Sequence, residues 1–118
     1  MGISTHILDT AAGRPAAHVP VSLARWQGCE WTVLSPAELR TDADGRARAL
    51  LSESIPLDAG LYRVRFETAA YFREQGCVGL YPWVEITFEV HTWTTDEVPH
   101  YHIPLLLTAN GYTTYRGS

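Results

Sequence analysis

"VEITFEV", residues 84–90, is the stretch that decides the fold. Val84, Ile86, Phe88 and Val90 alternate with Glu85, Thr87 and Glu89, the period of two of a strand with one face in a core and the other in water. Working outward, "LYRVRFE" at 61–67 repeats the pattern, with Tyr62, Val64 and Phe66 on one face and Arg63, Arg65 and Glu67 on the other. Two such strands predict an antiparallel sheet wetted on one side.

Further upstream, "HVPVSLARW" alternates Val19, Val21 and Leu23, "CEWTVL" is a short aromatic and β-branched run, and "DADGRARALL" carries an Asp44-Gly45 hairpin signal. The single helical candidate is "TAAYFREQG", with Thr68 as its N-cap and Gly76 to end it. Downstream, "HYHIPLLLT" and "YTTYRGS" flank Asn110-Gly111, a strong signal for a two-residue hairpin turn. Centred there, the turn pairs Ala109 with Tyr112 and brings Ser118 opposite Ile103. About eight short strands separated by turn signals predict an all-β sandwich with one short helix inserted.

Size and composition limit the rest. The 118 residues form one domain, 1–118, with 46% apolar and 19% charged residues and a net charge of −4, the balance of a folded globular chain. No basic run exists, so nucleic acid is excluded as a partner. No window of about 18 apolar residues spans a bilayer and the N-terminus lacks a secretory pattern, which makes the cytoplasm the expected location and a membrane an unexpected partner. Cys29 and Cys77 are too few for a disulfide framework. All nine basic side chains are arginine, which rules out lysine-based covalent chemistry.

Candidate proton-transfer groups are the five histidines, His6, His18, His91, His100 and His102. His100 and His102 are two apart and share one strand face, an arrangement that ligates a metal only if a third ligand converges on it. Hairpin parity puts His102, Pro104 and Leu106 on the face of Thr113, Tyr115 and Gly117. Tyr115 and His102 are therefore expected to look into one space, with the Ser118 carboxylate close to His102. A carboxylate there would raise the histidine's pKa and orient its ring.

"THILDTAAGRPA" (5–16), "TDADGR" (41–46), "YPWVEITFEV" (81–90) and the closing "HYHIPLLLTANGYTTYRGS" (100–118) together resemble the transthyretin-like 5-hydroxyisourate hydrolases of urate degradation. The resemblance runs from Ser4 to Ser118. It implies a transthyretin-type β-sandwich of about eight strands assembled as a homotetramer, a dimer of dimers, with active sites in the channel between dimers. It further implies opening of a ring amide in 5-hydroxyisourate to give 2-oxo-4-hydroxy-4-carboxy-5-ureidoimidazoline on the way to allantoin, without metal or organic cofactor. Carried over residue by residue, it makes His6, Arg46, His102 and Ser118 catalytic, and has His6, Arg46, Tyr115, Arg116 and Gly117 bind substrate. Trp83, after "YP", departs from the family's usual acidic or small polar residue.

Two other readings compete. A transthyretin-like carrier would hold a small ligand in the same channel without chemistry, but it would lack the paired histidines, the arginine and the Tyr-Arg-Gly-Ser ending. A small structural sandwich could gather a zinc ion on His6, His100 and His102.

Overall fold

The computed structural model describes residues 2–118. In chain order the elements are strands β1 (Gly2–Asp9), β2 (Arg14–Pro15), β3 (Val21–Gln27), β4 (Glu30–Val33), β5 (Arg46–Ala47) and β6 (Gly60–Phe66), helix α1 (Thr68–Glu74), then β7 (Val84–Val90), β8 (His100–Thr108) and β9 (Gly111–Thr114). The strands form two sheets. One is ordered β2-β1-β8-β9, with β5 also pairing β1; the other is β4-β3-β6-β7.

The two alternating segments become the neighbours β6 and β7, antiparallel with Val64 opposite Ile86 and Arg65 opposite Glu85. Tyr62, Val64, Phe66, Val84 and Val90 are buried against Ile3, Ile7, Leu105 and Leu107 of the other sheet. Burying side chains of this size contributes about 1.5–3 kcal/mol each, so the period-two pattern both forms the strands and holds the two layers together. On the solvent side Arg65 pairs with Glu67 and Glu85.

The pairing of β1 with β8 is parallel over eight residues, from Gly2↔His100 to Asp9↔Leu107. Nothing local in either strand announces it. In both strands the odd positions face the core, which leaves Ser4, His6, His100 and His102 on the outer face of this sheet.

Two local expectations are corrected. Thr68 is not the helix cap: Glu67 occupies that place without a side-chain cap bond, its carboxylate being held by Arg65. Thr68 Oγ1 instead donates to the Tyr81 carbonyl, and Ala69 N donates to the Pro82 carbonyl, so the chain leading into β7 satisfies the helix start. Gly76 does terminate the helix region, at φ 74°.

The terminal hairpin turns one residue earlier than expected. Thr108 pairs with Gly111 and Leu105 with Thr114, making Ala109 and Asn110 the two turn residues and moving every pairing partner by two positions. Thr108 Oγ1 accepts from Asn110 N and donates to Gly111 O, and the Ala109 carbonyl accepts Leu80 N at 2.8 Å. That bond to the loop after α1 anchors the turn.

Asp9, the last residue of β1, accepts the Tyr71 hydroxyl at 2.6 Å and the Ala12 amide at 2.9 Å. It ties α1 to the turn after β1. Burial and the Asp9 carboxylate push the Tyr71 phenol up to about 12, keeping it a hydrogen-bond donor.

Candidate active site

The site begins with the parallel register. Ser4 lies beside His102, and its Oγ stands 2.8 Å from His102 Nδ1 and 2.8 Å from His100 Nε2. Ser4 is buried, His102 is half-buried and His100 is exposed. On the other edge of β1, β5 sets Arg46 opposite His6.

Arg46 is delivered by the Asp-Gly turn, though not as the hairpin expected from it. The Asp42 carboxylate accepts the amides of Asp44 and Arg46, both at 2.9 Å, and the Arg46 amide, the foremost cause, holds that carboxyl below its ordinary value. Gly45, at φ 76°, lies so close to β1 that a Cβ would stand 2.4 Å from the Ile7 carbonyl. Only glycine permits this approach. The same turn presents the Asp44 carbonyl to His6 Nε2 at 2.9 Å. Since a carbonyl only accepts, Nε2 of His6 carries the hydrogen and Nδ1 is its remaining nitrogen.

Ser4, Thr5, Arg46, Arg48, His100, His102 and Ser118 line one cavity of about 280 Å³. Three of the four residues expected to be catalytic, Arg46, His102 and Ser118, therefore meet in one place, while His6 stands at its edge beside Arg46. Gly117 closes the cavity from the C-terminal side: its amide donates to the His102 carbonyl at 2.8 Å, and a Cβ at this position would fall 2.4 Å from His102 Cδ2. The segment after β9 can lie on the imidazole only because residue 117 has no side chain.

The electrostatics of His102 run opposite to the sequence expectation. Its pKa is lowered, first by burial and then by the charges of Arg46, His100 and His6, rather than raised by a carboxylate. A half-buried ring beside the Arg46 guanidinium resists a positive charge, so the neutral form of His102, able to accept a proton, is favoured.

Tyr115 and Arg116 are elsewhere. Within one chain they line a separate cavity of about 290 Å³ with Phe88, Tyr101 and Ile103, and the Arg116 guanidinium sits 4.3 Å over the Tyr101 ring. The expectation that Tyr115 and His102 share one space is corrected accordingly, because regular pairing stops at Thr114 and the chain beyond it turns toward the edge between the sheets. Ser4 and Arg48 are the residues the sequence reading missed. Their signal was the same alternation, Ser4 two before His6 and Arg48 two after Arg46.

Among the described residues no group of three or more His, Cys, Asp or Glu is arranged to hold a metal ion, so His6, His100 and His102 do not form the zinc site weighed above. Cys29 and Cys77 are free and exposed. No helix among the described residues is long and apolar enough to cross a membrane. Trp83 is 44% exposed and is covered on one side by Arg65, 4.3 Å over its ring.

Comparison with known proteins meets this geometry. The family model described as the HIUase/Transthyretin family matches residues 3–117. A 5-hydroxyisourate hydrolase of Mus musculus is 40% identical over 118 residues, covering 98% of this chain and 94% of its own length. The solved 5-hydroxyisourate hydrolase of Klebsiella pneumoniae superposes with a TM-score of 0.80 at 37% identity, covering 98% of this chain and 97% of that one. Sea bream transthyretin in complex with thyroxine superposes with a TM-score of 0.85 at 32% identity, covering 98% and 93%. Matched along nearly its whole length by sequence and by fold, the chain belongs to the HIUase/Transthyretin family.

Proposed function

We propose that this protein is a hydrolase that opens a ring amide of 5-hydroxyisourate, giving 2-oxo-4-hydroxy-4-carboxy-5-ureidoimidazoline in the degradation of urate to allantoin. The observation that carries the reading is the gathering of Arg46, His102 and Ser118 on one cavity, in a chain about 40% identical to relatives named for that activity. A carrier needs none of these groups.

Opening a cyclic amide requires an activated water, stabilisation of the oxygen that becomes negative, and a proton for the departing nitrogen. His102, held neutral, and His6, oriented through Nε2, are the two groups able to handle protons here. Arg46 and Arg48 bring positive charge, and the planar fork of Arg46 suits a flat anionic substrate. Ser118 orients the water or the His102 ring, and Gly117 allows the close contact on which that depends. The reaction needs neither metal nor organic cofactor in this scheme.

Assembly belongs to the same proposal. A homotetramer, a dimer of dimers, would enclose the outer face of the β1–β8 sheet as a channel and would give Tyr115 and Arg116 their contact with substrate across a subunit boundary. The cytoplasm is the proposed location. The test is decay of freshly prepared 5-hydroxyisourate, followed by ultraviolet absorbance against the spontaneous reaction. A wild-type protein that does not accelerate it, while binding thyroxine-like ligands, would establish the carrier instead.

A further inference from the structure

Ser4 holds two histidines with one hydroxyl. A serine hydroxyl has one hydrogen to give and lone pairs to accept with, so with ring nitrogens at 2.8 Å on both sides it can accept from one ring while donating to the other. The two rings line the same cavity but are not equivalent: His102 is half-buried, whereas His100 is exposed. A positive charge is costly at the first and well solvated at the second.

We propose that Ser4 is the centre of a proton relay, His102 Nδ1–Ser4 Oγ–His100 Nε2, which lets His102 act as base and then as acid without ever carrying the positive charge itself. The proposal rests on the hydrolase reading and deepens it. At rest, His102 Nδ1–H donates to Ser4 Oγ and Ser4 O–H donates to His100 Nε2, leaving the second nitrogen of His102, Nε2, with a lone pair. When water attacks the substrate carbonyl, His102 Nε2 takes its proton, Nδ1 passes its own to Ser4, and Ser4 passes its own to His100 Nε2. The charge now sits on His100. When the carbon–nitrogen bond breaks, the chain runs in reverse: His100 returns a proton to Ser4, Ser4 returns one to His102 Nδ1, and Nε2–H protonates the departing nitrogen. One proton leaves water and one reaches the ring nitrogen, so the enzyme ends as it began. His6, its Nε2–H committed to Asp44, stands outside the relay, with Nδ1 as its remaining nitrogen. Ser4 and His100 are positioning residues, acting through His102.

The test combines spectroscopy with kinetics. In protein carrying nitrogen-15 histidine, long-range proton–nitrogen spectra should show neutral His102 as the Nδ1–H tautomer, and acidification should protonate His100 before His102. Ser4→Ala should release His102 to the Nε2–H tautomer, and Ser4→Thr should retain Nδ1–H. An Nε2–H tautomer in the wild type, or a tautomer unchanged by Ser4→Ala, overturns the relay whether or not the protein hydrolyses 5-hydroxyisourate. In turnover, Ser4→Ala and His100→Ala should each lower kcat by about 10-fold or more, general acid–base effects being ~10²–10⁴ when complete, with KM little changed. Imidazole in solution should restore part of the rate of His100→Ala. A lowered kcat that no concentration of imidazole improves would overturn the role of His100. If the wild type shows the coupled tautomers yet does not hydrolyse 5-hydroxyisourate, the hydrolase reading falls and takes the relay's catalytic role with it, leaving only the hydrogen-bonded chain through Ser4.

Discussion

The outer faces of the two sheets use the same arginine chemistry to opposite ends. On the β6–β7 face, Arg63 and Arg65 pair with Glu85 and Glu67 and stack on Trp31 and Trp83 at 4.5 and 4.3 Å. Both arginines there have carboxylate partners in the chain. On the β1–β8 face, Arg46 and Arg48 stand with His100 and His102 around a cavity, and among the described residues neither arginine enters an ion pair. A face whose cations are tied into ion pairs is finished by folding, while one whose cations surround an open cavity can still receive an anion from outside.

The comparison breaks most directly at His102. His102→Gln should lower the accelerated decay of 5-hydroxyisourate by about 10²–10⁴-fold, the worth of general acid–base catalysis, with circular dichroism unchanged; wild-type turnover would show that the cavity is not where the chemistry happens. Arg46→Gln should follow at about 10²–10³-fold in kcat/KM, comparable with the loss of an oxyanion donor, read by the same absorbance assay.

The sign of the His102 shift sets the pH dependence. Because the folded pKa is lowered, His102, the proposed base, takes up its proton at lower pH than an ordinary histidine, and the acidic limb of kcat/KM should lie below about 6.5. For stability, the unfolded chain binds the proton more readily than the folded one. The penalty is absent above the ordinary value and grows as pH falls from it through the lowered one. Urea titrations across that window should show stability declining on acidification, and His102→Gln should flatten the decline.

Tyr71→Phe probes scaffold rather than site. It removes the hydroxyl donor from the buried Asp9 carboxylate, a loss of about 1–3 kcal/mol, visible as a lower urea midpoint with turnover per folded molecule unchanged. Smallest of all should be Arg65→Gln on the finished face: exposed ion pairs contribute about 0–1 kcal/mol, and hydrolysis should not change. A large catalytic loss there would erase the distinction between the two faces.

Much of this was legible in the sequence. The alternation at 61–67 and 84–90 specified which side chains face the core, because a strand's pleat leaves no choice once one face is apolar. The family motifs pointed to His6, Arg46, His102, Tyr115, Arg116, Gly117 and Ser118, of which Arg46, His102 and Ser118 line one cavity while Tyr115 and Arg116 line another. Legibility ended where a distant part of the chain intervened. Asn110-Gly111 is a sound local turn signal, but the Ala109 carbonyl is taken by Leu80 and the turn moved. Thr68 is a good local cap, but Tyr81 took its hydroxyl.

The sequence by itself determined the strands, their buried faces and the residue types of the site, since these depend on local periodicity and on motifs read in place. Only the tertiary structure decided that β1 and β8 run parallel, and with it that Ser4 would stand between His100 and His102. Parallel partners are joined by long connections and paired by hydrogen bonds that carry no side-chain code. The alternation could say that Ser4 points outward, but not which histidines it would meet there.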